Sequence, residues 1–565
     1  MMPTHFTPQT NSLRKLAPTL SLGLCLSLPA LAQSGAAPGD ISRQVEPLRV
    51  PALPALEQKP QRITQPSAPA PGMARVQVQQ WLIQGNQMLG TDTLLPLLQP
   101  FTGVDLTFQQ IREAAAVVQQ AYEEGGWLAR VDVPAQDVTE GRVTLLVTES
   151  RLGEVRLDAQ ASSRVQPERL ATWVRAAQVA GQPLNIRQLD RRLLLADDLP
   201  GVSVAGTLQA SAQPGATDVI LNAAAEKPLT LDLGLDNQNA RSVGANRLMA
   251  SGTWNSPAGW GESYTAQAFK SEGSDYLRLG ASAPMGTSGL RGSLGLGQLD
   301  YKVITPDANG TRQDISGRSQ TLSVDLSYPL LRSRQANVYL ALAADEKRFA
   351  GQANGQRNSH YAIQGGQVGV MGNHFDSLGG SAANSFSLYW RHGQVQSRQV
   401  PVNPEVAGSF SKFNWSLSRQ QALSNQLSLY AAVNGQNTGG KPLDGSENMI
   451  LGGPGGVRAY PIGEAAGPQG HVFNLELRYR LGPQWLLTPF YDRGRIEKRN
   501  ADTLRAYSLE GAGISVSWTG PGGWSARAIY ARRMGSNPNA NTTTGQDQDG
   551  SLRKDRLWLT VSRSL

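Results

Sequence analysis

The residues best placed for specific chemistry lie in one stretch, Leu451 to Gly470, reading Leu-Gly-Gly-Pro-Gly-Gly-Val-Arg-Ala-Tyr-Pro-Ile-Gly-Glu-Ala-Ala-Gly-Pro-Gln-Gly. It holds one cation, Arg458, and one aromatic, Tyr460, between Val457 and Pro461, in a run of glycine and proline that forbids a regular helix or a central strand. A loop with such a tip needs a wall to dock against. Phe490-Tyr491-Asp492-Arg493-Gly494 offers one, with an aromatic, a carboxylate and a glycine at alternate positions. The chemistry available is recognition, since a guanidinium can grip a carboxylate through two parallel hydrogen bonds and does not lose its proton.

Bond-making chemistry finds no support. Gly435-Gln-Asn-Thr-Gly-Gly-Lys441 imitates a phosphate-binding loop, but Pro442 stands where a magnesium-holding Ser or Thr belongs, and no helix follows. His5, His360, His374, His392 and His471 are isolated from one another and lack metal-ligand spacing. No G-x-S-x-G elbow occurs. The expectation is no catalytic residue, no metal and no cofactor.

The chain has 565 residues, 40% hydrophobic and 17% charged, with 60 glycines that predict many turns. Its formal charge of +8 is scattered, with no aromatic-interleaved basic cluster, so no nucleic-acid partner is expected. Arg14 and Lys15, an apolar run from Leu20 to Leu28 and the A-x-A site Ala30-Leu31-Ala32 read as a secretory signal over residues 1–32. The only cysteine, Cys25, lies inside that leader, so the mature chain is expected to carry no disulfide and no thiolate site.

Several elements must position the loop. Residues 33–74 are a proline-rich linker in which only Asp40 to Leu48 could be helical, cut short by Pro47. A strand then begins near Val76, and Thr107-x-x-Gln110 opens a helix whose apolar positions are Phe108, Ile111, Ala115, Val118 and Tyr122, ending at Gly125-Gly126. Strands near Ala129–Val133 and Val143–Val147 complete an α+β unit over 75–150. A second copy spans 151–228, with helices from Pro167 and Asn185. After Lys227-Pro228 the period becomes two: Leu229, Leu231, Leu233 and Leu235 alternate with Thr230, Asp232, Gly234 and Asp236, and the pattern recurs to the final Leu565. One face suits lipid and the other a wet lumen, so the strands of 229–565 are expected to close into a transmembrane antiparallel β-barrel. If Trp485, Leu487, Pro489 and Tyr491 face lipid, then Phe490, Asp492 and Gly494 face the lumen.

Val457-Arg458-Ala459-Tyr460 and Phe490-x-Asp492-x-Gly494 together resemble the paired signatures of the outer-membrane transporters of two-partner secretion, the TpsB or ShlB/FhaC/HecB type. Arg187 to Val202, Asp236-Asn237 and Asn255 to Glu262 resemble further parts of that family. The resemblance implies two periplasmic POTRA modules, a barrel of sixteen strands acting as a monomer, and a loop over 451–470 folded inward so that Arg458 pairs with Asp492. Tyr460 is then expected against Phe490, with Gly494 making room for the loop backbone. The family has Gly where Ala459 stands, and a Cβ there disfavours a positive φ. Implied partners are outer-membrane lipid and a large secreted β-helical exoprotein, an adhesin, cytolysin or contact-dependent toxin, passed outward without ATP. An outer-membrane assembly factor and a passive diffusion porin are the alternative readings.

Overall fold

The computed structural model describes residues 38–45, 75–180, 182–306, 311–500 and 503–565. The expected signal and most of the linker fall outside them. The helix within the linker is α1 (Pro38–Val45), two residues earlier than expected at its start. Its last described residue is Val45, two positions before Pro47.

The first α+β unit contains β1 (Arg75–Gln77), β2 (Gln80–Gln84), α2 (Thr91–Leu94), β3 (Asp105–Thr107), α3 (Phe108–Gly125), β4 (Ala129–Asp132) and β5 (Arg142–Glu149). The single strand expected from Val76 is thus two short ones. Thr107 and Gln110 form the reciprocal capping box of α3, and Gly126 closes it at φ 81. Ile111, Ala115, Val118 and Tyr122 are buried on the sheet. Phe108 is not: at the first helical position it is 53% exposed and lies under Arg112 instead. The Glu149 carboxylate ties the unit together, accepting from Gln87 N, Met88 N and the Tyr122 hydroxyl. Burial and that neighbouring carboxylate push the Tyr122 hydroxyl's pKa upward.

The second unit repeats the plan with β6 (Arg151–Leu157), α4 (Pro167–Arg175), α5 (Ile186–Asp197), β7 (Val202–Ala210) and β8 (Ala216–Ala225). In both units the last strand is the centre of a three-stranded sheet, parallel to β2 or β6 and antiparallel to the strand before it, giving orders β2-β5-β4 and β6-β8-β7. The edge strand β4 lies beside α3, and β7 lies beside α5.

Sixteen strands close the barrel. They are β9 (Leu229–Asp236), β10 (Arg247–Asn255), β11 (Ser263–Lys270), β12 (Ser274–Pro284), β13 (Arg291–Lys302), β14 (Ile315–Arg332), β15 (Ala336–Ala353), β16 (Gln356–Asp376), β17 (Ala382–Ser397), β18 (Gly408–Ala422) and β19 (Leu427–Asn437), then, after the short ladder of β20 (Met449–Ile450) and β21 (Ala466–Gly467), β22 (Gln469–Leu481), β23 (Trp485–Asn500), β24 (Thr503–Thr519), β25 (Trp524–Arg533) and β26 (Asp555–Ser564). Leu229, Leu231, Leu233 and Leu235 are exposed toward lipid, as are Leu557, Leu559 and Val561 of the last strand. The wall is uneven, since β14 to β16 run 18, 18 and 21 residues, well past the roughly 9–11 needed to cross a bilayer. At the seam β26 meets β9 through five residue pairs. There Asn237 imitates a backbone unit, donating to Leu557 O (2.9 Å) and accepting from Leu559 N (2.8 Å).

The second unit is fastened to the barrel's periplasmic turns. Arg332 grips Asp198 with two bonds of 2.8 and 2.9 Å, Arg334 pairs with Asp190, and Arg191 donates to Pro329 O.

Candidate functional site

Met449 and Ile450 pair with Gly467 and Ala466, so the stretch that starts and ends there is a hairpin with a long, irregular head. Its backbone folds tightly on itself: Val457 N donates to Leu451 O at 2.7 Å, and a Cβ on Gly456 would lie 2.0 Å from that same oxygen. The head is turned into the barrel. Leu451, Val457, Ala459, Tyr460 and Ala465 are wholly buried in one apolar cluster with Phe490 and Trp558 of the wall.

Arg458 is the centre of the contact. Its Nε and Nη2 hold the two oxygens of Asp492 at 2.8 and 2.6 Å, its backbone N donates to Asp492 at 3.0 Å, and its Nη1 reaches Glu476 at 2.8 Å. The Asp492 side chain has no exposed surface and that of Arg458 is 3% exposed. Such a pair is not an ordinary solvent-screened surface bridge. Asn474 supplies a further bond to Asp492 (2.7 Å) and holds Gly456 O (3.0 Å), while the indole N–H of Trp558 donates to Arg458 O at 2.8 Å. Main chain and side chain of the arginine are therefore both fixed by the wall.

Two expectations about the neighbours need correction. The ring packed on Phe490 is not that of Tyr460: the Arg458 guanidinium covers it, with Cζ 3.5 Å from the ring centroid. Tyr460 lies instead beneath Arg533, at 4.8 Å. The reason is geometric, because the fork that reaches Asp492 must pass over the ring beside it on the lumen face. Gly494 makes room for side chains and not for backbone, since a Cβ there would stand 3.0 Å from both Leu451 and Val457. Ala459 takes no positive φ, and the left-handed alanine of the loop is Ala465 at φ 61. The methyl of Ala459 faces Gly511, where a Cβ would lie 2.4 Å from it.

The loop is also held from the extracellular side. Glu464, fully buried, accepts from Asn539 (3.1 Å) and from Gln548 N (3.0 Å) of the connection between β25 and β26. Asp547 in that connection binds Arg533 and Arg556.

A sequence model of the haemolysin secretion/activation protein ShlB/FhaC/HecB matches residues 215–520, and a ShlB-type POTRA model matches residues 76–150. The chain belongs to the ShlB/FhaC/HecB family. In this ShlB-type protein the barrel lies in the outer membrane and the POTRA units stand in the periplasm. Among similar proteins, the heme/hemopexin transporter protein HuxB of Haemophilus influenzae is 24% identical over 97% of this chain and 98% of its own. The outer membrane transporter CdiB of Dickeya dadantii is 23% identical over 72% of this chain and 74% of its own. The solved structure of CdiB from Escherichia coli superposes with a TM-score of 0.71 at 20% identity, covering 89% of this chain and 93% of that one.

Several residues of this ShlB-type site escaped sequence reasoning. Glu476 and Asn474 lie directly across from Phe490 and Asp492 on β22, and parity on that strand already assigns them to its polar face. Trp558 alternates with the lipid-facing Leu557 and Leu559, which would likewise have marked it as a lumen residue. Glu464, Asn539 and Gln548 left no comparable signal, since they meet through irregular loops.

Proposed function

We propose that this protein captures an unfolded exoprotein in the periplasm and passes it through the barrel to the cell surface, with Arg458 holding the infolded loop in the position from which the pore conducts. The observation that carries this is the buried contact of Arg458 with Asp492 and Glu476, inside a barrel to which the second POTRA unit is fastened. An ordinary surface salt bridge would not join the loop's main chain, its side chain and three wall strands. The edge strands β4 and β7, each beside a helix, offer an extended chain main-chain hydrogen bonds irrespective of its side chains. Forward movement is driven by folding of the emerging chain outside. The substrate class is that of large β-helical adhesins, cytolysins or contact-dependent toxins, and the barrel acts as a monomer.

The test is photo-crosslinking in cells from a reactive residue replacing Leu208, which is exposed on β7. The expected adduct is one very large secreted polypeptide. Adducts to nascent barrel proteins would point to an assembly factor, and the absence of any polypeptide adduct to a diffusion pore.

A further inference from the structure

A second buried charge cluster lies where the chain enters the loop. Glu447 ends the 3₁₀ turn Gly445–Glu447, just before β20, and is 2% exposed. Its carboxylate is held by Lys347 Nζ at 3.0 Å, Arg391 Nε at 3.1 Å and Lys412 Nζ at 2.9 Å, which come from β15, β17 and β18. Its carbonyl accepts from Lys412 (2.8 Å) and from Gln436 of β19 (3.0 Å). Four strands from one arc of the wall, β15 and β17 to β19, thus fix one residue of the loop entry.

The other side of the same turn is where α1 sits. Arg43 Nε donates to Asn448 O at 3.1 Å, Ile41 inserts into the apolar cluster formed with Met449 and Leu451, and the Ser42 hydroxyl meets that of Ser319 at 3.1 Å. The helix is eight residues long and lies against the loop entry and β13 to β15. Glu447 and α1 therefore meet at one turn, which the wall cations hold from one side and the helix from the other.

We propose that Glu447 is a positioning residue that couples the presence of α1 in the lumen to the seating of the loop. The loop has two anchors, Arg458 for its tip and Glu447 for its entry. The Glu447 anchor presents the carbonyl of Asn448 to Arg43 and sets the surface on which Ile41 packs. Loosening it unseats α1, and by linkage the departure of α1 loosens the entry while Arg458 keeps the tip in place.

The mature chain has no natural cysteine if the leader carrying Cys25 is removed, so Ser42→Cys with Ser319→Cys provides a clean reporter in the full-length protein in outer membranes. The rate of disulfide formation reads how long α1 stays seated. Glu447→Gln is expected to slow it by at least about fivefold, the low end of usual coupling between sites, with Arg43→Ala acting similarly and the two together doing little more. An unchanged rate in an inserted Glu447→Gln barrel would overturn the proposal. Should that variant fail to insert, Arg43→Ala leaves the wall cluster whole and carries the test in reverse. A single cysteine replacing Ser446, which is 2% exposed, is then expected to be alkylated about fivefold faster, again the low end of such coupling, and an unchanged rate would overturn the coupling. Neither readout involves secretion, so the coupling can fail while the transport reading stands.

Discussion

The guanidinium of Arg458 has both edges occupied, one by Asp492 and one by Glu476, and its face rests on Phe490. Lysine keeps the charge but loses the fork and the stacking plane, so Arg458→Lys is expected to behave like Arg458→Ala. Arg458→Ala leaves two buried carboxylates short of a partner, at a cost of about 3–5 kcal/mol to the seated loop. The barrel itself is closed by its own ladders. Both variants are therefore expected to insert normally, judged by heat-modifiable migration, yet to secrete little or nothing. Loss of the protein from the outer membrane would show that the arginine serves assembly. At the neighbouring residue, Gly511→Ala drives a methyl into that of Ala459 and should cost about 1–3 kcal/mol of loop seating. Adding Ala459→Gly should restore secretion to the Gly511→Ala protein. Failure of that rescue would show that the two methyls do not compete.

Among the elements, α1 shows what the length of a helix leaves unsaid. The linker sequence allowed one short, proline-limited helix, and the eight residues of α1 place Ile41, Ser42 and Arg43 in the buried interior of the barrel. Sequence reasoning judged length, whereas lumen occupancy depends on contacts with β13 to β15 and the loop entry. Deleting residues 38–45 is therefore expected to raise resting conductance in planar bilayers severalfold over the intact protein. Unchanged conductance would mean that other lumen residues already close the path. The POTRA helices were far more legible. The capping box at Thr107, the left-handed Gly126 and the Asn185 cap are local signals, and each marks a helix end. Phe108 was misplaced because it keeps the helical period but stands in the first turn, where the face it occupies is not yet covered.

For the whole molecule, period-two alternation sufficed for the barrel because lipid leaves no other way to satisfy strand backbones. Parity then put Phe490, Asp492 and Gly494 on the wet face, where Asp492 meets Arg458. The strand number and the infolding of the loop came from family resemblance, since neither follows from alternation alone. The contacts of Glu447 with β15, β17 and β18, and of Glu464 with the last extracellular connection, join segments remote in sequence through irregular backbone, so nothing local could announce them. The central claim is that one buried arginine holds the loop of a dedicated transporter. It is tested most directly by comparing surface and supernatant proteins of the intact strain, a deletion of this gene, and the deletion carrying the Arg458→Ala protein. The account predicts loss of one large exoprotein from both mutants with other outer-membrane proteins unchanged. A general depletion of barrel proteins, or no change in either fraction, would contradict it.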